Sequence, residues 1–386
     1  MATFLCAWEF GGGLGHLMRL KPIAEQLERL NHRVIFVVQN LSSASFLIEA
    51  GFECLQAPIL KPISCVSPPN SMAQILARRG YSDTNKLEGM VHEWIKIYRR
   101  IKPDLILADY APTAILSARK GRIPVAAIGS GFSFPPRDRW ACNLRPWLAD
   151  ESLIDIEKHI ILNVNQVAKS QGFAGVDRVA DFFYGDNNFI FDLQETDIYK
   201  RSQSFYVIEK HEPNGFLIPK WKSKNKVKVA GYLKKGFKEN HRIISALSKM
   251  DIEAKIVVPG MQSDIHPNAD NITLYRKPID LSALISGSNA VLFHAGSTIK
   301  EVILKGKVSL LAPTQLEQFH YAQRMEKNGF GEMINFKLSD LTSQFKEILN
   351  NQDYIRNVEA VKEKYSKSGN WYSSHDIARE ISALAV

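Results

Sequence analysis

Two series of alternating strand-like and helix-like patterns constrain the fold of this chain more than any other feature of its sequence. The first series has apolar or β-branched runs at residues 3–10, 33–38, 52–57, 105–108 and 125–128. The second series has such runs at residues 227–232, 254–258, 272–275, 290–293 and 308–312. Helix-period stretches separate the runs in both series. Because strands that alternate with helices pair in parallel, each series predicts a doubly wound, Rossmann-like α/β domain.

A lysine-rich stretch lies between the two series. Residues 219–228 contain five lysines around Trp221, which is the composition of an exposed linker. We therefore predict an N-terminal domain over residues 1–218 and a C-terminal domain over residues 219–365, as the length of 386 residues also favours. Ligands bind beyond the carboxyl ends of the strands in such sheets. We therefore expect the site in a cleft where the two domains face each other.

Composition and cysteine usage place the chain among soluble, reduced proteins. No apolar run approaches the roughly 20 residues that span a bilayer, and the N-terminus lacks the basic segment of a secretion signal. The four cysteines lie far apart without a C-x-x-C pair, which predicts a cytoplasmic chain without a zinc site. The formal net charge of +9 favours binding to an anionic partner such as a phosphate, a membrane surface or nucleic acid. The alternative is a solvated basic surface without such a partner. No nucleic-acid-binding motif accompanies this charge, so nucleic acid is disfavoured.

The segment 290–301 has the pattern of a phosphate-binding turn. A strand ends in a run of small residues that opens a helix, where unpaired backbone N–H groups point outward. Gly296 lets a ligand approach the backbone, and the hydroxyls of Ser297 and Thr298 can donate hydrogen bonds. His294 is expected to donate to a phosphate oxygen, and Glu301 to accept from ribose hydroxyls. The alternative needs no ligand, because Thr298 and Glu301 have the spacing of a capping box.

The glycine-rich loop at residues 11–15 excludes two common nucleotide-binding motifs. His16 stands where a G-x-G-x-x-G fingerprint needs its third glycine, and Gln39 follows the second strand where an acidic residue is needed. The sequence also contains no G-x-x-x-x-G-K-[ST] motif. Binding of a dinucleotide or of a P-loop nucleotide is therefore disfavoured.

Taken in order, residues 275–331 resemble the donor-binding segment of the UDP-glycosyltransferases and macrolide-type glycosyltransferases. That segment has a His, small residues, a Ser or Thr, a Glu, a strand ending in Pro, an acidic residue before Gln, and then Ala and Arg on the next helix. The matching residues here are His294, Gly296, Ser297, Thr298, Glu301, Pro313, Glu317, Gln318, Ala322 and Arg324. The resemblance implies the GT-B fold, in which two Rossmann-like domains face a cleft, and a nucleotide-diphosphate sugar, expected to be a UDP-sugar, as donor.

The resemblance also assigns roles to the donor-site residues. It implies that the nucleotide and its phosphates contact Gly15, Arg276, Ile279, His294, Gly296, Ser297, Thr298 and Glu301, and that the sugar contacts Glu317 and Gln318. Two departures stand out: Glu301 is one residue closer to His294 than in the family, and Ile279 replaces the Gln of an aromatic-x-Pro-Gln motif. Base recognition is therefore expected to use backbone groups near Arg276 and Ile279.

The first loop resembles the catalytic loop of the same family. Gly15-His16 is followed by a helix pattern and then by Asn31-His32-Arg33-Val34, as in those enzymes. In inverting members this His is the general base, and an Asp at the end of a Pro-Asp-x-apolar-Asp strand is its partner. The resemblance thus implies that His16 is the base and Asp109 its partner. It also implies that the last helix, in residues 366–386, packs back on the N-terminal domain.

We therefore predict an inverting, metal-independent glycosyltransferase that needs no cofactor and transfers a sugar to a hydroxyl. The alternatives are a nucleotide-sugar epimerase or hydrolase of the same architecture, and a non-catalytic protein that binds nucleotide sugars. His16 together with Asp109 argues against the last. The long aromatic loop with Phe132, Phe134, Trp140 and Trp147 favours an aromatic or lipid-like acceptor over water. No H-E-x-x-H motif or clustered His and Cys ligands suggest a metal.

Overall fold

The computed structural model of this chain describes residues 1–12, 14–62, 68–148, 150–201, 206–209, 216–261 and 269–385, so Gly13 and Cys65 lie outside the described residues. The chain divides into two compact units. Unit 1 comprises Met1–Asp192, Tyr199–Lys210 and Tyr372–Val386. Unit 2 comprises Leu193–Ile198 and His211–Trp371. No helix in the described segments has the length and apolar character needed to cross a membrane.

Unit 1 is built on an eight-stranded sheet, counted over the described residues. Its strands are β1 (Thr3–Trp8), β2 (Arg33–Val38), β3 (Glu53–Gln56), β4 (Leu105–Asp109), β5 (Val125–Ser130), β6 (Asn187–Phe191), β7 (Tyr206–Glu209) and β14 (Trp371–Tyr372). They lie in the order β14-β7-β6-β5-β4-β1-β2-β3. Strands β1 to β7 pair in parallel. The long apolar runs of the first series therefore become the buried centre of the sheet.

Helices cover both faces of this sheet. They are α1 (Gly15–Arg29), α2 (Ser45–Glu49), α3 (Met72–Leu76), α4 (Thr84–Ile101), α5 (Pro112–Gly121), α6 (Leu153–Gln171) and α13 (Ser374–Leu384). Alternate residues of β1 face opposite sides, so Phe4 and Cys6 join the core on one face while Leu5 and Ala7 join the core on the other. The helix α13 lies on the Phe4 face, where Ile377 and Ile381 are buried.

Unit 2 repeats the plan with a six-stranded parallel sheet. Its strands are β8 (Val227–Tyr232), β9 (Ile252–Val257), β10 (Ile272–Tyr275), β11 (Ala290–Phe293), β12 (Val308–Leu311) and β13 (Gly331–Met333), in the order β10-β9-β8-β11-β12-β13. Its helices are α7 (Asn240–Ser248), α8 (Leu281–Ser286), α9 (Ile299–Leu304), α10 (Leu316–Lys327), α11 (Thr342–Asn350) and α12 (Gln352–Ser368). The prediction of two doubly wound α/β halves is confirmed.

The sequence patterns differ from the structure at two points that matter for the site. The predicted strand at residues 3–10 ends at Trp8, so Glu9 lies just beyond the carboxyl end of β1, where it is fully buried. The helix α6 and the strand β6 were not predicted. Gly172, directly after α6, has the left-handed conformation that often follows the end of a helix. Both elements belong to the part of unit 1 that follows the aromatic loop.

Candidate functional site

Each sheet has one point at which its strand order reverses. In unit 1 the chain runs from β1 outward to β2 and β3 on one side, and then from β4 outward to β7 on the other side. In unit 2 the same reversal lies between β8 and β11. Open parallel sheets bind ligands beyond the carboxyl ends of the strands at such a switch point. The polar residues at these two places are therefore the candidates for function.

The switch point of unit 1 brings His16 and Asp109 together. His16 lies in the first turn of α1, and Asp109 is the last residue of β4, beside Trp8 of β1 in the parallel register. The Nδ1 atom of His16 lies 2.8 Å from Oδ1 of Asp109. The imidazole is stacked on Trp8 and on Tyr110, with ring centroids 5.5 Å and 6.3 Å away. These contacts hold the ring in one orientation.

The glycine loop leaves room beside the other ring nitrogen of His16. Gly11 has a φ of +86°, and a Cβ atom added to it would lie 2.3 Å from the Nε2 atom of His16. Only glycine combines that backbone conformation with the absence of a side chain. Because the Asp109 carboxylate can only accept, Nδ1 carries the proton and Nε2 presents its lone pair.

Sequence reasoning missed Arg19, which shares the same carboxylate. The Nη1 atom of Arg19 donates to Oδ2 of Asp109 at 2.6 Å, so the two carboxylate oxygens have different partners. Burial by itself would raise the pKa of Asp109, but the Arg19 guanidinium and then His16 outweigh it and hold that pKa below its usual value. The sequence feature that could have revealed Arg19 is its spacing of three residues from His16, because this spacing places both side chains on one face of α1.

A second carboxylate, Glu9, was also missed. Its Oε1 atom accepts from the indole N–H of Trp94 at 2.8 Å, and its Oε2 atom accepts from the backbone N–H of Thr113 at 2.7 Å, in the first turn of α5. Burial raises the pKa of Glu9 to about 7, although these hydrogen bonds oppose the shift. The sequence feature that could have revealed Glu9 is the position of a charged residue within a predicted apolar strand.

Glu9 is expected to make the stability of the protein depend on pH. Its pKa in the folded protein, about 7, exceeds the ordinary value of 4.5, so the folded state holds the proton more tightly. This contribution to stability is present below pH 4.5 and is lost as the pH rises through 7. We expect the free energy of unfolding to fall by up to about 3 kcal/mol over that range from this group.

The measurement is urea unfolding of the wild type and of Glu9→Gln at several pH values. The glutamine variant should lack the pH-dependent part assigned to Glu9. The exposed Glu151→Gln variant is the matched control and should retain the wild-type slope. Identical slopes in the wild type and in Glu9→Gln would contradict the assignment.

At the switch point of unit 2, His294 is placed differently from the expectation. Its Nε2 atom accepts from the backbone N–H of Lys234 at 2.9 Å, and its Nδ1 atom donates to the carbonyl oxygen of Ala312 at 2.6 Å. Burial lowers the pKa of His294, which keeps the ring neutral. Both ring nitrogens are used within unit 2. The expected hydrogen bond from His294 to a phosphate is therefore incompatible with this geometry, and His294 ties β8, β11 and β12 together.

The turn after His294 contains a buried residue in an uncommon backbone conformation. Ala295 is fully buried with a φ of +54°, a left-handed conformation that is uncommon for a residue with a side chain. Thr298 precedes α9 without a capping hydrogen bond from its side chain, so the capping-box alternative is not formed. Ser297 is exposed, and Glu301 pairs with Lys305 at 2.7 Å. The backbone and hydroxyls of this turn thus remain the expected phosphate contacts.

Lys234 was not predicted as a site residue, yet it spans this turn. Its Nζ atom donates to Oγ1 of Thr314 at 2.9 Å. Lys234 follows β8 and Thr314 follows β12, while β11 lies between those strands, so the lysine side chain crosses the end of β11. Gln318 accepts from both the backbone N–H and the hydroxyl of Thr314 at 2.9 Å. The Nε2 atom of Gln318 would lie 3.5 Å from a Cβ atom on Gly296.

The remaining predicted donor-site residues lie at three other places. Arg276 and Ile279 line an open groove of about 570 Å³, formed by Leu217 and residues 274–279. The side chain of Arg276 is exposed, whereas Ile279 is buried. Glu317 is partly buried and lies in the first turn of α10, next to Gln318 in the sequence. Gly15 is the first residue of α1 and belongs to unit 1, unlike the other donor residues.

The aromatic loop is only partly available to an acceptor. Phe132 and Phe134 are buried, and Phe134 packs edge-on against Tyr184 with centroids 5.1 Å apart. These two rings belong to the buried interior of unit 1. Trp140 and Trp147 are 37% and 48% exposed. In the described parts of the chain, no group of three His, Cys, Asp or Glu side chains is placed to hold a metal.

Solved structures match this chain over its whole length. The calicheamicin glycosyltransferase CalG4 is 15% identical with a TM-score of 0.72, covering 99% of this chain and 98% of that chain. The glycosyltransferase VinC in complex with dTDP is 15% identical with a TM-score of 0.70, covering 100% and 99%. The glycosyltransferase SsfS6 from Streptomyces sp. SF2575, complexed with thymidine diphosphate, is 15% identical with a TM-score of 0.66, covering 99% and 100%. The chain has the GT-B fold.

This finding confirms the fold that the sequence predicted. The two doubly wound sheets are the two Rossmann-like halves of the GT-B fold. No protein-family model matches the sequence, and no curated protein is similar to it in sequence.

Proposed function

We propose that this GT-B chain is an inverting, metal-independent glycosyltransferase that moves a sugar from a nucleotide-diphosphate sugar, expected to be a UDP-sugar, to an acceptor hydroxyl. The observation that carries the proposal is the hydrogen-bonded pair of His16 and Asp109 at the switch point of unit 1. The matching structures support it because they are glycosyltransferases, and two of them contain thymidine diphosphate. The match of residues 275–331 to a donor-binding segment supports the role of unit 2.

His16 has the geometry of a general base. Its Nδ1–H donates to Asp109, so Nε2 can take the proton of the acceptor hydroxyl. The acceptor oxygen then attacks the anomeric carbon of the sugar from the side opposite the diphosphate. The bond from that carbon to the phosphate oxygen breaks, and its electron pair leaves with the nucleoside diphosphate. The Asp109 carboxylate stabilises the imidazolium that forms, and the configuration at the anomeric carbon is inverted.

The leaving diphosphate gains negative charge, and unit 2 supplies groups that stabilise it. We place the diphosphate against the turn at Gly296 and Ser297, with the ammonium group of Lys234 taking the role that sequence reasoning gave to His294. A lysine ammonium acts on phosphate as a point charge, as a metal ion would. Glu317 and the amide group of Gln318 are proposed to contact the hydroxyls of the donor sugar.

The acceptor is proposed to be an apolar organic alcohol. Leu14 and Met18 lie on either side of His16 in the sequence, and they are 50% and 51% exposed. Apolar side chains exposed to solvent beside a polar pair are typical of a surface that binds an apolar ligand.

We also propose a cytoplasmic location, because Cys6, Cys54 and Cys142 are free thiols.

The donor part of the proposal is tested by calorimetry with UDP and dTDP in the presence of EDTA. We expect one or both to bind without a divalent cation. Lys234→Met should weaken this binding about 10- to 150-fold, since a hydrogen bond to a charged group contributes about 1.5 to 3 kcal/mol. The substitution leaves the bond from the backbone N–H of Lys234 to His294 in place.

Lys235→Met is the matched control, because the neighbouring exposed lysine extends toward Gly260 and not toward Thr314. Its affinity should remain that of the wild type. Absence of binding to either nucleotide would remove the donor assignment. Equal losses for the two lysine variants would show a general charge effect and would remove Lys234 from the diphosphate site.

A further inference from the structure

We propose that an exposed segment near the start of unit 2 docks this protein on the surface of an anionic lipid membrane. The segment combines two aliphatic side chains, which are 64% and 63% exposed, with three exposed lysines. We call these five side chains the linker surface, and they are Leu217, Ile218, Lys220, Lys222 and Lys224. The proposal concerns the location of the protein and does not depend on sugar transfer.

The residues between the outward-facing ones are turned away from solvent. Pro219 is buried, and Trp221 and Ser223 are half-buried. Alternate residues of an extended chain face opposite sides. The even-numbered residues from 218 to 224 are all exposed, so they share the outward side of the segment. The aliphatic side chains and the lysines therefore form one continuous surface.

Hydrogen bonds within unit 2 hold the backbone of this segment at two points. The carbonyl oxygen of Leu217 accepts from the backbone N–H of Asp280 at 2.9 Å. The backbone N–H groups of Lys222 and Ser223 donate to the carboxylate of Glu253 at 3.0 Å and 2.7 Å. These bonds fix which side of the segment faces solvent.

The positive charge of the linker surface is not neutralised by carboxylates. Residues 216–228 include no Asp or Glu, and the three lysines form no ion pair with another described residue. Glu253 is paired with the buried Lys255 at 3.3 Å. The exposed Lys277 lines a groove together with Leu217 and adds positive charge beside it. The surface is therefore both apolar and cationic.

This combination matches the boundary of an anionic bilayer. Interfacial surfaces bury apolar side chains among the lipid headgroups, while their lysines are attracted to anionic lipids. Nucleic acid is bound through its phosphates and bases by cationic, polar and aromatic side chains, so it would leave the aliphatic pair without a role. A second copy of the chain would bring the same positive charges together. We therefore assign a membrane surface as the partner.

The test is co-sedimentation of the full-length protein with vesicles of phosphatidylcholine that contain about one-third phosphatidylserine. We expect binding to these vesicles, weaker binding to pure phosphatidylcholine, and release at high salt, which screens the charges. Binding should weaken about 10- to 100-fold in the triple variant Lys220→Gln, Lys222→Gln, Lys224→Gln, because each lysine near an anionic surface contributes about fivefold. The double variant Leu217→Ser, Ile218→Ser should bind about tenfold more weakly at unchanged charge.

The matched charge control is the triple variant Lys337→Gln, Lys346→Gln, Lys367→Gln, which removes the same charge from other exposed positions of unit 2. Leu338→Ser is the apolar control, because this leucine is 39% exposed in the same unit. Both should retain most of the wild-type binding.

Absence of binding to the anionic vesicles, or equal losses in the two triple variants, would overturn the proposal. Without vesicle binding, lysine-dependent binding of a DNA duplex would assign the surface to nucleic acid. A dimer that the Leu217→Ser, Ile218→Ser variant dissociates would then assign it to a second copy of the chain. Nucleotide binding is measured separately, so failure of the proposed glycosyltransferase function remains distinct from failure of membrane docking.

Discussion

Replacement of His16 by alanine is expected to lower turnover by about 10² to 10⁴-fold, the usual cost of removing a positioned general base. The affinity for the nucleoside diphosphate should stay close to that of the wild type, because all of its expected contacts except Gly15 belong to unit 2. The measurement is the release of nucleoside diphosphate from a nucleotide sugar in the presence of an acceptor alcohol. The exposed His375→Ala variant is the control and should retain full turnover.

Asp109→Asn should reduce turnover less than His16→Ala, because the imidazole remains while its tautomer is less controlled. The double variant should be no slower than His16→Ala alone, since the two residues act as one unit and their effects do not add. Near-normal turnover of His16→Ala would overturn the mechanism but leave the fold intact. Free sugar or an epimerised donor, formed without acceptor, would then favour the hydrolase or epimerase.

The second large effect concerns stability. Replacement of Ile381 by alanine is expected to lower the free energy of unfolding by about 2 to 5 kcal/mol, as for other buried isoleucines. Ile381 lies on α13, far in sequence from the N-terminal strands and helices. It is nevertheless fully buried in the core of unit 1, in the same cluster as Leu17 and Leu20. The loss is expected because the helix cannot move far enough to fill the cavity.

Leu384→Ala is the matched control, because this residue is an apolar side chain on the same helix that is 39% exposed. Its cost should be about 0.5 kcal/mol or less, as for most surface substitutions. Both are measured by urea unfolding followed by tryptophan fluorescence, with Trp8 and Trp94 as buried reporters in unit 1. A loss for Ile381→Ala as small as that expected for Leu384→Ala would contradict the contribution of α13 to the core.

Local sequence patterns were sufficient for most of the fold. The apolar runs at β1, β2, β4, β8, β11 and β12 coincide with strands because a buried parallel strand must be apolar on both faces. The helix patterns between them dictated parallel pairing and therefore a common carboxyl edge for each sheet. The conjunction of His16 with Asp109 was expected from their family motifs, and the structure places them 2.8 Å apart. The helix α6 was missed because it follows a loop rich in proline and aromatic residues that interrupts the alternation.

The sequence by itself thus determined the two α/β halves, the absence of known dinucleotide and P-loop motifs, and the candidate base with its carboxylate. Only the tertiary structure decided how the surrounding charges and hydrogen bonds are distributed. His294 is hydrogen-bonded to the backbone of Lys234 and Ala312 because β8 and β12 lie on either side of β11. The order of strands in a sheet cannot be read from local sequence periodicity. Arg19 and Asp109 are far apart in the sequence and meet only because α1 packs beside the end of β4. The partner of a buried charge therefore depends on which elements pack together, and a local sequence pattern does not show this.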